Sequence, residues 1–191
     1  MNSHRAPNVD AAVKDVAAYG GNLAAVFHQY ALIAERIPSG FEGATNILDA
    51  TVSTLNQVSS LFKDEAEGLK NGTGKELFSI EGVLYVQRLV IECAKTLAKV
   101  EPIVDDACLP RKEFQAKVKR DKKELAKKGE PEVNISGLKL DEKAFLEKVE
   151  NTNWRLAQDP IEDCMDRLYD LQLHLLLVYQ VVTVGALSRD L

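Results

Sequence analysis

The chain has 191 residues, of which 46% are hydrophobic and 28% charged, with a net charge of −5. That length suits one domain able to bury about two thirds of its extended surface without a metal or disulfide staple. The acidic balance argues against a protein that coats nucleic acid over its whole surface.

Cys93, Cys108 and Cys164 are the three cysteines. Their wide spacing, with no CxxC pair, predicts free thiols in a reducing compartment. The opening MNSHRAPNVD has no apolar run of the signal-peptide kind, so the expected location is cytoplasmic. Sequons at Asn71 and Asn134 carry information only in a secreted protein.

Apolar residues at helical spacing predict a first helix from about Val9 to Ile37, capped by Asn8 or Asp10. Its inner face holds Val9, Val13, Val16, Leu23, Val26 or Phe27, Tyr30, Ile33 or Ala34, and Ile37. Gly20-Gly21 interrupts this face, and each glycine costs a helix about 1 kcal/mol against alanine, which predicts a bend, a bulge or a separately docked segment. Pro38-Ser39-Gly40 ends the helix. A second helix follows from about Glu42 to Lys70, with Ile47 or Leu48, Val52, Leu55, Val58, Leu61 or Phe62, Ala66 and Leu69 inward, closed by the glycines of Asn71 to Gly74.

Ser79 starts a third helix reaching about Asp105, with Ile80, Leu84, Gln87, Val90, Ala94, Leu97 and Val100 on one face. Gln87 is the polar member of that stripe, either a rim residue or a buried amide that needs a partner. After Pro110 the character changes. Nine Lys or Arg against three acids between Arg111 and Lys128 give this segment +6 and leave −11 for the rest. Phe114, Val118 and Leu125 are its lone apolar anchors, which predicts shallow docking. Gly129 to Leu140 reads as a linker with a short extended piece at Val133–Ile135, so residues 111–140 form a basic helix plus linker inside a single domain spanning 1–191.

Asp141 caps the next helix, whose face of Phe145, Val149 and Leu156 runs to Pro160, where a kink or break is expected because proline lacks a helical donor. Beyond it, Ile161, Met165, Leu168, Leu171, Leu175, Val178 and Val182 recur at helical spacing. A helix this apolar is expected to lie buried at the centre. Arg167, Asp170, Gln172, His174 and Gln180 interrupt it, and Leu175 to Val184 is shorter than the roughly 20 residues of a bilayer crossing, so a membrane span is not expected. The fold class is all-α, an antiparallel bundle of four to five long helices.

Few residues suggest chemistry. His4, His28 and His174 are far apart with no second ligand at helical spacing. Gly68 to Glu76 has the wrong spacing for a phosphate loop and no Ser or Thr after Lys75. Glu162, Asp163, Asp166 and Asp170 are close on one helix, but Arg167 stands among them and no Glu-x-x-His motif accompanies them. They read as a solvated face. No catalytic residue, cofactor or metal is expected. Lys117, Lys119, Arg120, Lys122, Lys123, Lys127 and Lys128 remain as a ridge that could meet a protein partner or anionic lipid headgroups. Nucleic acid is a poor fit, because no aromatic residue for base stacking occurs between Gln115 and Lys128.

The stretches LYVQRLVIECAKTLAKVEPIV (Leu84–Val104) and MDRLYDLQLHLLLVYQVVTVGAL (Met165–Leu187) resemble the HeLo and HeLo-like N-terminal helical domains of fungal incompatibility and cell-death proteins. The resemblance implies a helical bundle that engages membranes through its first helix, which here would be Val9, Val13, Val16, Leu23 and Phe27. The departures are a polar start, Lys14-Asp15 inside that helix, and no nucleotide-binding module or Gln/Asn-rich tail. The preferred expectation is a non-enzymatic interaction or signalling domain in the cytoplasm or at a membrane surface. The alternatives are a homodimerising adaptor, and a ligand-binding bundle with a cavity lined by Gln87, His174, Tyr179 and Gln180.

Overall fold

The spacing of buried side chains sets the elements. In a computed structural model that describes residues 6–71, 76–128 and 133–187, the chain forms α1 (Ala6–Ile33), α2 (Phe41–Lys70), α3 (Ile80–Leu97), α4 (Val100–Ala107), α5 (Arg111–Lys128), a 3-10 turn at Ile135–Gly137, α6 (Glu142–Asn151) and α7 (Trp154–Leu187). The described residues contain no strand. The protein is thus an all-α bundle of four long helices, α1, α2, α3 and α7, with α5 as a further basic helix.

Helix α2 packs along both α1 and α7, α3 fits against α7 and α1, and α6 covers α1. Cross-links fix the directions. Ser59 donates to Asp10, and His28 pairs with Asp49, so α1 and α2 are antiparallel. Arg167 meets Glu92, while Tyr85 and His174 border one cleft, so α3 and α7 are antiparallel too. Phe41 and Ala44 lie beside Trp154 and Ile161, which makes α2 and α7 parallel. The core joins Val13, Val16, Leu23 and Phe27 to Leu48, Leu55, Val58, Val90, Leu97, Phe145 and Leu168, all at most 1% exposed. Each such side chain contributes about 1.5–3 kcal/mol on leaving water.

Several expectations are corrected. Helix α1 runs unbroken through Gly20-Gly21 and ends at Ile33 rather than Ile37. The reason for Gly20 is proximity: a Cβ there would stand 3.0 Å from Val52 Cγ2 and 3.4 Å from Leu97 Cδ1. The glycine lets three helices approach, and packing outweighs its propensity cost. The predicted third helix is two, parted at Ala98-Lys99, because Pro102 has no N–H to continue the ladder and is tolerated only in a first turn. The extended piece expected at Val133–Ile135 is shorter: Asn134 is extended, and Ile135 already opens a 3-10 turn, Ile135–Gly137, set against α1. Gln87 is exposed, and the buried stripe of α3 is Val86, Leu89, Val90, Cys93, Ala94 and Leu97.

The helix breaks earlier, at Thr152-Asn153, and of the kink or break expected at Pro160 the break does not occur, since α7 continues through the proline. Asn153 N–H leaves the helical ladder to donate to the Ala107 carbonyl, while the Thr152 hydroxyl turns back to the Lys148 carbonyl. Asp141 caps α6 as expected, accepting from Ala144 N–H at 3.1 Å. Ser79 caps α3 in the same way. The α1–α2 connection turns at Gly40, whose φ of +79° lies in the left-handed region that side chains avoid.

The largest correction concerns α7. Ile161, Met165, Leu168, Leu171 and Leu175 are buried as expected, but Leu173, Leu177, Val181, Val184 and Leu187 are 44%, 56%, 63%, 61% and 63% exposed. A window of 18 residues in α7 has a mean hydropathy of 1.4, enough by length and composition to cross a membrane, and only 11% of it is buried. The interrupting polar residues therefore do not disqualify the helix on those two criteria.

Candidate interaction surface

The two ends of the bundle are built differently. Around the start of α7, rings from four helices lock together: Phe27 stacks on Phe41 at 4.8 Å, Trp154 meets Phe41 edge-on at 5.1 Å, and Phe145 faces Phe27 at 6.4 Å. Aromatic pairs of this kind add roughly 0.5–1.5 kcal/mol beyond burial. At the other end, α7 continues about 18 Å past Leu175 at 1.5 Å per residue, and among the described residues no aromatic cluster covers its outer side. Ile80, Leu84 and Tyr85 in the first turns of α3 are also exposed there, since α3 runs antiparallel to α7.

This end is apolar without being flawed inside. Val178, Tyr179 and Val182 pack against the core. Thr183 donates to the Tyr179 carbonyl at 2.8 Å, and His174 Nδ1 lies 2.7 Å from the Asp170 carbonyl, so both polar side chains are satisfied within their own helix. From Leu171 to Leu187 there is no Asp, Glu, Lys or Arg. At roughly half exposure a Leu or Val leaves about 100 Å² accessible, so the five outer residues reach the several hundred Å² that mark interaction sites on soluble proteins.

The residues singled out in the sequence fall elsewhere. Val9, Val13, Val16, Leu23 and Phe27 are at most 4% exposed; the first-helix face is core. Lys119, Arg120 and Lys123 are exposed on α5, whereas Lys117 turns onto α4 and donates to Asp106. That hydrogen bond raises the Lys117 pKa. Lys122, Lys127 and Lys128 belong to α5, with side chains outside the described residues. The ridge is set against α4, whose last carbonyl contacts the start of α7, far from the apolar face. Sequence reasoning missed that face because its residues repeat like core residues; only their exposure separates them.

Chemistry has little to work with. Among the described residues no three His, Cys, Asp or Glu side chains gather as metal ligands. Cys93 and Cys164 are free and buried, and burial pushes their thiols up to about 12 and about 11, far from the depressed values of reactive cysteines. A surface cleft of about 240 Å³ lies between α3 and α7, lined by Tyr85, Arg88, Glu92, Arg167, Asp170 and His174. Lys95 and Arg167 donate to Glu92 and hold its carboxyl below the usual range. Of the four residues expected to converge on a ligand, His174 alone borders this cleft, and Gln87, Tyr179 and Gln180 do not. His28 is spent on Asp49, 2.8 Å away, and His4 and the Asn71-to-Gly74 turn beyond Asn71 lie outside the described residues.

No family model matches the chain. Nor does any curated protein or solved structure. The class defined by the fold is an all-α bundle carrying an open apolar face on its last helix.

Proposed function

We propose that the chain is a helical interaction module that acts by docking, with the outer face of α7 as its contact surface. The observation that supports this is the exposure of Leu173, Leu177, Val181, Val184 and Leu187 on a helix whose opposite side is core as far as Leu175 and partly buried at Val178, Tyr179 and Val182. Leaving that much aliphatic surface in water forgoes burial of about 25 cal/mol per Å², which a partner recovers. A cytoplasmic setting agrees with three unpaired thiols. Neither the basic ridge nor the first helix is needed for this reading. Membrane action through α1, as the fungal resemblance implies, requires the helix to leave the core, because its apolar face is buried.

A second reading is bilayer contact through the same half of α7, favoured by its hydropathy. Benzoylphenylalanine at Leu177, irradiated in cells, tests the first reading against it. Protein adducts at Leu177 that are missing when the probe replaces exposed Glu113 support docking. No protein adduct at Leu177 sinks it.

A further inference from the structure

The outer face of α7 has a finer pattern than apolarity. Leu173, Leu177, Gln180, Val184 and Leu187 follow one another at alternating steps of four and three, and all five are exposed. A mean step of 3.5 residues is the period at which two helices stay in contact along a common seam. The seam begins where the formal charge stops, since Asp170 one step earlier is the last Asp, Glu, Lys or Arg before Leu187. Its single polar member, Gln180, stands at the centre with two apolar residues on either side.

Resting on the docking reading above, we propose that the occupant of this face is a second copy of the same chain, the two α7 seams pairing about a two-fold axis near Gln180. The placement of Gln180 argues for self-pairing. Under two-fold symmetry a central residue meets its own counterpart whether the helices run parallel or antiparallel. A glutamine amide carries both donors and an acceptor, so two facing copies satisfy each other. In hydrocarbon the same amide has no partner. A lone polar residue in an apolar seam is also the device that fixes register in paired helices.

Area and charge point the same way. Two facing seams of about 500 Å² each bury on the order of 1,000 Å² in total, the lower limit for a specific interface, which predicts a reversible dimer of micromolar affinity or weaker. The seam is uncharged on a chain of net charge −5, so added salt screens repulsion between copies and does not weaken pairing. Leu171 and Leu175 are buried and Val178, Tyr179 and Val182 pack on the core. The inner side of α7 is thus turned to the bundle, and the outer seam is the side most open to a partner.

Sedimentation equilibrium of the full chain without lipid, from about 1 to about 300 µM, provides the test. The expected result is a mass that rises with concentration toward twice that of the monomer. Leu177→Glu and Val184→Glu, at exposed positions, are expected to hold the chain monomeric over this range with unchanged helical circular dichroism and unchanged Trp154 emission. In a Cys108→Ser background, Gln180→Cys is expected to form a disulfide-linked dimer under mild oxidation far faster than Gln57→Cys, an exposed control on α2. A native chain that stays monomeric at the highest concentration overturns the proposal, as does a dimer untouched by both glutamates or a Gln180→Cys that links no faster than the control. Failures are separable: a monomer whose Leu177 probe still captures another protein loses self-pairing but keeps docking. A monomer that sediments with vesicles in a Leu177-dependent way, and gives no protein adduct, loses both.

Discussion

Trp154 Nε1 donates to the Tyr30 hydroxyl at 3.1 Å, joining two residues 124 positions apart in the chain. The bond ties the last full turn of α1 to the first turn of α7, inside the cluster that also holds Phe27 and Phe41. It closes the end of the bundle opposite the exposed face. Tyr30→Phe keeps the ring packing and removes the acceptor, so it is expected to cost about 1 kcal/mol in urea unfolding. Trp154 is the single tryptophan, and its emission should shift in the folded variant. An unchanged spectrum together with unchanged stability would show that the bond is not formed in solution.

Glu65 is 7% exposed, and its Oε1 accepts from the backbone N–H groups of Leu77 at 2.6 Å and Phe78 at 3.0 Å. It thereby fastens the entry to α3 onto α2, beside the stacked pair Phe62 and Phe78 at 4.4 Å. Glu65→Ala is expected to destabilise by about 2–3 kcal/mol, because two donors lose a charged acceptor. Glu65→Gln, which keeps one carbonyl acceptor, should cost less. Equal losses for the two variants in denaturant titrations would contradict this account.

The glycine pair in α1 predicts opposite outcomes for neighbouring residues. A Cβ at Gly21 meets nothing within 4 Å, so Gly21→Ala should stabilise by about 0.5–1 kcal/mol through helix propensity and a less flexible unfolded chain. Gly20→Val should destabilise by about 1–3 kcal/mol, since it forces atoms against Val52 and Leu97. Thermal melts of the two variants decide the matter. Shifts of the same sign would mean that α1 does not sit as described.

Alkaline pH should weaken the fold. Cys93, Cys164 and Tyr19 have pKa values raised to about 12, about 11 and about 12, in each case chiefly by burial. From the ordinary thiol value of 9.0 upward, the unfolded chain loses these protons before the folded chain does, so stability falls as pH rises and levels off above the folded values. Lys117 and Lys148, raised by hydrogen bonds to Asp106 and Asp105, act in the same direction. Their contribution is complete below 10.5 and is lost as pH rises through the folded values. Cys93→Ala should make the decline between pH 9 and 12 shallower, measured by urea unfolding along a pH series. A decline of unchanged slope would remove Cys93 from the explanation.

At the acid end, Glu92 has the opposite sign. Hydrogen bonds from Lys95 and Arg167 lower its pKa, so its contribution is present above the ordinary carboxylate value of 4.5 and is lost as pH falls through the lower folded value. Glu92→Gln should flatten the loss of stability on acidification below that value. Because the group is about a third exposed, the effect should be small and should shrink with added salt.

Local chemistry was legible where it acts over a few residues. Asp141 and Ser79 cap helices because a short oxygen placed three residues before an N–H needs no distant partner. Arg111–Lys128 is a helix because its charged residues are good helix formers. Tertiary contacts overrode local preference at Gly20, where close neighbours repay the missing side chain, and at Thr152-Asn153, where a carbonyl of α4 captured an N–H that would otherwise have extended a helix. Pro102 was readable as a break and was missed, while Pro160, where a kink or a break was expected, is carried inside α7 without a break.

By itself the sequence determined the all-α class and bounded the long helices at four to five, of which the fold has four, because apolar period and capping residues act within one turn. It placed most of the core residues of α1 and α2 as well, but Ile37 and Leu69, read as inward, are 51% and 50% exposed because they lie at or just past helix ends that no described neighbour covers. What only the tertiary structure decided is which apolar residues lack a neighbour. Leu175 and Val182 lie on one apolar stripe of α7, yet Leu175 is fully buried and Val182 only partly so. Burial depends on where α2 and α3 end beside α7, and hydrophobic spacing carries no record of that.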